Sequence, residues 1–151
     1  MTVTHSNDEV LARLIGRTAE ASSAFIRGDV RRYVELLPHA AGYTLMPPYG
    51  EVRHGVDHSG ESLDATARWF QGGECSLEVV RADRSGDLAV IVAIERQHGV
   101  VGGLPLQDWS LRVTLVFHRS GDTWALAHRH ADPLVHPIDH DQLSRLARGA
   151  V

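Results

Sequence analysis

The chain has 151 residues, 43% hydrophobic and 23% charged, with a net charge of −4 and one cysteine. That size and balance predict a single globular domain. They exclude a basic nucleic-acid surface, a disulfide scaffold and, because no apolar run approaches ~20 residues, a membrane-spanning helix. All 15 basic residues are arginine, which excludes Schiff-base lysine chemistry. Cys75 has no partner for an internal disulfide and falls at the start of a strand pattern, so it reads as a buried structural thiol. The N-terminal stretch MTVTHSNDEV has no basic segment followed by an apolar one. A cytoplasmic protein without a signal peptide is expected.

Ser6 and Glu9 have the spacing of a capping box. Leu11, Leu14, Ile15, Thr18, Ala21, Ser22 and Phe25 then follow helical spacing, and Gly28 is a natural stop. Asp29 caps a second, short helix, VRRYVELL, which ends before Pro38. GYTLM, residues 42–46, reads as a strand stopped by Pro47-Pro48-Tyr49-Gly50. Residues 51–58 read as a short strand or a loop. Ser59 caps a third helix, GESLDATARWF, ended by Gly72-Gly73. Residues 76–83 and 88–98 read as strands joined by an RSGD turn, and Gly99 to Pro105 as a glycine-rich loop without a phosphate-binding pattern. After a long hairpin over 108–132, a short C-terminal helix over 139–148 closes the chain.

The hairpin, DWSLRVTLVFHRSGDTWALAHRHADP, carries most of the chemistry. In its first strand Trp109, Leu111, Val113, Leu115 and Phe117 alternate with mostly polar residues, as in a half-buried strand. A two-residue loop at Ser120-Gly121 pairs Phe117 with Trp124, Leu115 with Leu126, Val113 with His128, Leu111 with His130 and Trp109 with Asp132. That parity sets His128, His130 and Asp132 on the buried face, with Ala125, Ala127, Arg129 and Ala131 outside. Polar groups on a buried face need partners or a cavity. His130 is the candidate general base, since imidazole exchanges a proton near neutrality, with Asp132 orienting it and His128 deeper. Trp109, Leu111, Val113, Tyr43, Tyr49 and Phe70 are candidate pocket walls. The ten histidines suggest a metal set of His128 and His130 with Asp132, His54 or His58, but no metal motif is present, and neither metal nor cofactor is expected.

Helices first and a meander of strands afterwards argue an α+β domain. That layout, with GDLAVIVAIER, TLMPPYG and the hairpin ending W-x-L-x-H-x-H, resembles the nuclear transport factor 2-like superfamily, within it the SnoaL-like and ketosteroid-isomerase-like group. The resemblance covers residues 9–134 of one 1–151 domain. It implies a cone-shaped, strongly bent antiparallel sheet packed on N-terminal helices, a fold also called cystatin-like, with a pocket inside. It further implies a homodimer through the outer sheet face, and a small hydrophobic molecule as partner rather than nucleic acid or membrane. The tyrosine and aspartate that ketosteroid isomerases carry on the first helix and near the first strand are missing here. An epoxide-hydrolase-like Asp-Arg-Asp set has the right types in Asp108, Arg112 and Asp132, with Arg112 on the opposite face. The implied activity is a cofactor-free lyase, cyclase or isomerase acting on a hydrophobic carbonyl compound by His/Asp proton transfer. The alternative is a non-catalytic ligand-binding or dimerisation module.

Overall fold

The computed structural model describes residues 8–150. Helix α1 (Glu9–Ile26) starts at Asp8, whose carboxylate accepts from the Val10 and Leu11 amides at 2.9 and 3.3 Å. Ser6, expected as the cap, lies outside the described residues. Helix α2 (Val30–Leu36) is capped by Asp29 and α3 (Gly60–Ala67) by Ser59, both as expected from the side-chain oxygens that satisfy first-turn amides. The third helix stops earlier than its pattern suggested, because Phe70 already belongs to a strand. That strand, β3 (Phe70–Ser85), pairs with β4 (Leu88–Val101), and the hairpin is β6 (Leu111–Ser120) and β7 (Thr123–Asp132). The remaining strands are β1 (His39–Met46), β2 (Arg53–His54) and β5 (Gln107–Asp108), and α4 (His140–Ala147) follows the sheet.

The curved, unclosed sheet has the order β2-β1-β7-β6-β4-β3, with β5 on β4. One pairing departs from the expected antiparallel meander: β1 runs parallel to β7. The concave face carries Ala89, Ile91, Val113, Leu115, Phe117 and Leu126, all buried against α1 through Leu11, Leu14 and Ala21. Removing such side chains from water is the main term that holds the helices in the sheet's curve. Close packing of α1 is made possible by glycine. A Cβ at Gly73 would lie 2.3 Å from the His98 carbonyl and 2.8 Å from Ile26, so only a bare backbone lets β3, β4 and the helix end meet.

Curvature comes from irregular pairing. In β3 Val80 is inserted between the pairs Val79–Ala93 and Arg81–Val92. In β7 Ala127 is inserted between Phe117–Leu126 and Val116–His128. Each is one extra residue against the partner strand, which bends and twists the sheet locally. Both RSGD turns use the same solution, with Ser85 opposite Leu88 and Ser120 opposite Thr123. The two-residue loops are Gly86-Asp87 and Gly121-Asp122, one residue later than expected for the second, with glycine φ values of 59° and 61°.

Candidate functional site

The inserted Ala127 decides which side chains reach the interior. Before it, Trp124 and Leu126 pair with Arg119 and Phe117, and both pack on the core as expected. Beyond it, His128 lies opposite Val116, His130 opposite Thr114 and Asp132 opposite Arg112. One extra residue sends every later side chain to the other face. The expected interior placement of His128, His130 and Asp132 is therefore corrected: all three stand on the convex face, and Arg129 and Ala131 turn inward beside Leu115 and Val113.

On the convex face Arg112 binds Asp132 through two hydrogen bonds, 2.8 and 3.0 Å. The guanidinium holds the Asp132 carboxyl below its ordinary value. So occupied, with its Oδ1 also accepting from the Leu134 amide at 3.0 Å, Asp132 does not orient His130. Arg112 and Asp132 share one face, which the expected parity had separated. The His128 Nδ1 is 2.7 Å from the Thr44 hydroxyl. A shallow groove of about 300 Å³ on this face is lined by Val80, Val92, Ile94, Thr114 and His130.

The concave side holds a different set. Glu95 is 3% exposed and receives two hydrogen bonds from Arg129, 2.7 and 2.9 Å, and a third from the Ser22 hydroxyl of α1 at 3.0 Å. Burial opposes both charges, yet their mutual contact prevails: the Glu95 carboxyl is held below its ordinary value and the Arg129 guanidinium above its own. Tyr33 of α2 and Tyr43 of β1 lie within the field of this pair, and burial raises both phenols. Between them sits His39, its ring centroid 4.5 Å from Tyr43 and 5.7 Å from Tyr33, with His58 at 6.3 Å. Burial, and then the neighbouring His58, push the His39 imidazole down to about 4. Its buried Nδ1 has no partner at full hydrogen-bond geometry among the described residues, although the Leu37 backbone interacts with the ring and opposes the downward shift. Buried polar atoms are rarely left so, and each one calls for an explanation in strain, a chemical role or a bound water or ion.

The other expected pocket residues scatter. Tyr43 is inside, 3% exposed, and Val113 and Leu111 line the concave face. Trp109 is half-buried with its indole N–H donating to the Gly99 carbonyl at 3.1 Å, and Phe70 packs edge-on to Phe25 at 4.5 Å. Tyr49 is 75% exposed beneath the Arg53 guanidinium, outside the interior. Cys75 is half-buried, and burial raises its thiol to about 12, which suits a structural role. Among the described residues no group of three or more His, Cys, Asp or Glu side chains could hold a metal ion. No described helix is long and apolar enough to cross a membrane.

His39, Tyr33, Glu95 and Arg129 were not singled out from the sequence as site residues. A signal for the pair was present: Glu95 shares strand parity with Ala89, Ile91 and Ala93, and a carboxylate on a buried face requires a cation. That strand is apolar on both faces, so its buried side could not be chosen from periodicity.

A curved sheet closed over N-terminal helices, with polar side chains gathered on its concave side, defines the nuclear transport factor 2-like class of α+β domains. Within it the chain belongs to the SnoaL-like domain family, whose model matches residues 17–135. A solved candidate dehydratase of the NTF2-like family from Streptomyces avermitilis is 25% identical, with a TM-score of 0.67 over 87% of this chain and 100% of its own. A candidate ketosteroid isomerase from Shewanella frigidimarina is 20% identical, TM-score 0.62, covering 83% of this chain and 96% of its own. The CamKII hub homology domain of Chlamydomonas reinhardtii is 17% identical, TM-score 0.62, over 83% and 99%. No curated protein matches the sequence.

Proposed function

We propose that this chain is a small-molecule enzyme of the lyase, cyclase or isomerase type, acting without a cofactor on an uncharged hydrophobic carbonyl compound bound in the concave interior. The observation that carries the reading is the unpartnered Nδ1 of His39, buried between two tyrosines. An imidazole kept neutral at pH 7 offers a lone pair to a proton on carbon next to a carbonyl. A phenol kept protonated offers a hydrogen bond to the oxygen on which charge then develops. Tyr43 and Tyr33 are the candidates for that donor. Glu95 neutralises Arg129, so among the described residues the buried interior holds no unpaired charge, and an uncharged ligand suits it. The dehydratase description of the Streptomyces relative favours the same class.

His130 with Asp132, the acid–base pair first expected, is the weaker candidate, because the carboxylate is engaged by Arg112. The second reading is an assembly module that pairs with another copy through the outer sheet face. It is favoured by the exposed apolar residues of that face and by the hub relative. The two readings are compatible, since they use opposite faces. The lone cysteine supports a reducing, cytoplasmic setting.

The experiment is a histidine-resolved NMR titration of the full chain with a panel of hydrophobic carbonyl compounds, repeated in His39→Gln and His130→Gln. The proposal expects ligand shifts at His39, lost in His39→Gln and kept in His130→Gln. Shifts confined to His130 would transfer the site to the outer face. No shift with any compound would leave the assembly reading.

A further inference from the structure

The guanidinium of Arg129 has more donors than its ion pair uses. Nη1 and Nη2 donate end-on to the two Glu95 oxygens, at 2.7 and 2.9 Å. A guanidinium holds five N–H groups in one plane, so the edge formed by Nε and the adjoining Nη is left over. Among the described residues Arg129 donates to no group but Glu95. The spare edge is not sealed in packed protein, since the one sealed and unbonded side-chain atom among the described residues is His39 Nδ1.

The sheet register shows where this edge lies. Arg129 stands opposite Leu115, and Glu95 opposite Leu111. The row between them is Ala131, Val113 and Ala93, all buried. The bonded guanidinium therefore crosses that row, over two alanines, on the concave floor. Leu45 is the β1 partner of Arg129, and Tyr43 stands two residues before Leu45 on the same inward face. Tyr33 approaches from α2. Burial raises both phenols, and the Arg129 charge opposes that rise in each. The same charge reaches His39. An imidazole, two phenols and an unused guanidinium edge thus converge on one interior.

We propose that Arg129 is a further catalytic residue of this site: its Nε edge binds the substrate oxygen as negative charge develops there, and Glu95 and Ser22 are its positioning residues. The proposal rests on the reading of His39 as the base, and it narrows the substrate to an uncharged, enolisable ketone or aldehyde. His39 Nδ1 takes a proton from the carbon beside the carbonyl. The C–H electron pair becomes the carbon–carbon double bond of the enolate, and the carbonyl π pair moves to oxygen. One imidazolium and one enolate arise together, so the interior gains no net charge. Glu95 tempers the guanidinium beforehand, and a neutral carbonyl is held weakly. Once the oxyanion forms, the same N–H contacts become charge-assisted. Contacts that strengthen only as the reaction proceeds are those that accelerate it. The Ser22 hydroxyl, 3.0 Å from Glu95, ties the fork to α1 and fixes its aim. A lysine would keep the cation but not the second planar edge.

The test uses the full chain and two probes. Acetophenone is an uncharged ketone. The para-nitrophenol anion has the charge and shape of an enolate and absorbs at longer wavelength than the phenol. Absorbance titration, at a pH where both forms of the probe coexist, reads the preference for the anion. Nitrogen-edited NMR reads the Arg129 Nε–H, and histidine NMR reads His39. The variants are Arg129→Lys and Arg129→Met/Glu95→Gln, which removes both charges together, with folding checked by circular dichroism. We expect wild type to prefer the anion at least about tenfold over the phenol, with the Nε–H signal moving, and each folded variant to lose that preference. No preference in wild type, an Nε–H unmoved by the anion, or a preference kept in a folded variant overturns the role of Arg129. The His39 reading is judged separately. Acetophenone shifts at His39 in wild type and in Arg129→Lys uphold it even where Arg129 fails, and their absence in wild type removes the base on which both rest.

Discussion

The two faces of one sheet treat charge in opposite ways. On the concave side Glu95 and Arg129 are buried together and tied to α1 through Ser22. On the convex side Arg112 and Asp132 make an ion pair of the same geometry, but with the guanidinium half in water. The same chemistry has different weight in the two places. A solvated pair is worth at most about 1 kcal/mol, whereas breaking a buried one leaves a charge without water or partner. Histidine divides likewise: His39 is held neutral by burial, while His128 and His130 stand on the convex face.

The strongest way to break this contrast is Arg129→Met, which removes the buried guanidinium and leaves Glu95 without its cation. Urea unfolding should register a loss of about 3 to 5 kcal/mol, and Glu95→Gln added to it should recover part.

A pH series isolates His39. Its folded value is depressed to about 4, so the unfolded chain binds its proton first as pH drops. Stability is complete above ~6.5 and is lost between there and about 4, by up to about 3 kcal/mol. His39→Gln should flatten that limb relative to wild type in chemical denaturation near pH 5. If wild type and variant fall together, His39 is not the buried neutral group described. At the small end, Arg112→Ala on the convex face should cost less than about 1 kcal/mol at neutral pH. A cost as large as that of Arg129→Met would erase the distinction between the faces.

Much of this was legible in the residues. The helical spacing of Leu11, Leu14, Thr18 and Ala21, the caps Asp29 and Ser59, and the alternation of β6 all correspond to real elements. These features are local, written in spacing and capping chemistry, and together with the resemblance they specified an α+β cone. The faces of β7 after Trp124 and Leu126 were not legible. An inserted residue leaves no mark in an alternating pattern, because A-H-R-H-A alternates equally well in either orientation. Only the partners chose: Val113 and Leu115 across the hairpin, β1 entering in parallel from Pro38, whose carbonyl accepts the Leu126 amide at 2.7 Å, and Glu95 in need of a cation. Spacing and capping chemistry in the sequence placed most of the elements, and the resemblance pointed to the family. The tertiary structure decided which histidine is inside, because burial of a charge pair is a property of three strands and a helix meeting, and no single strand encodes it.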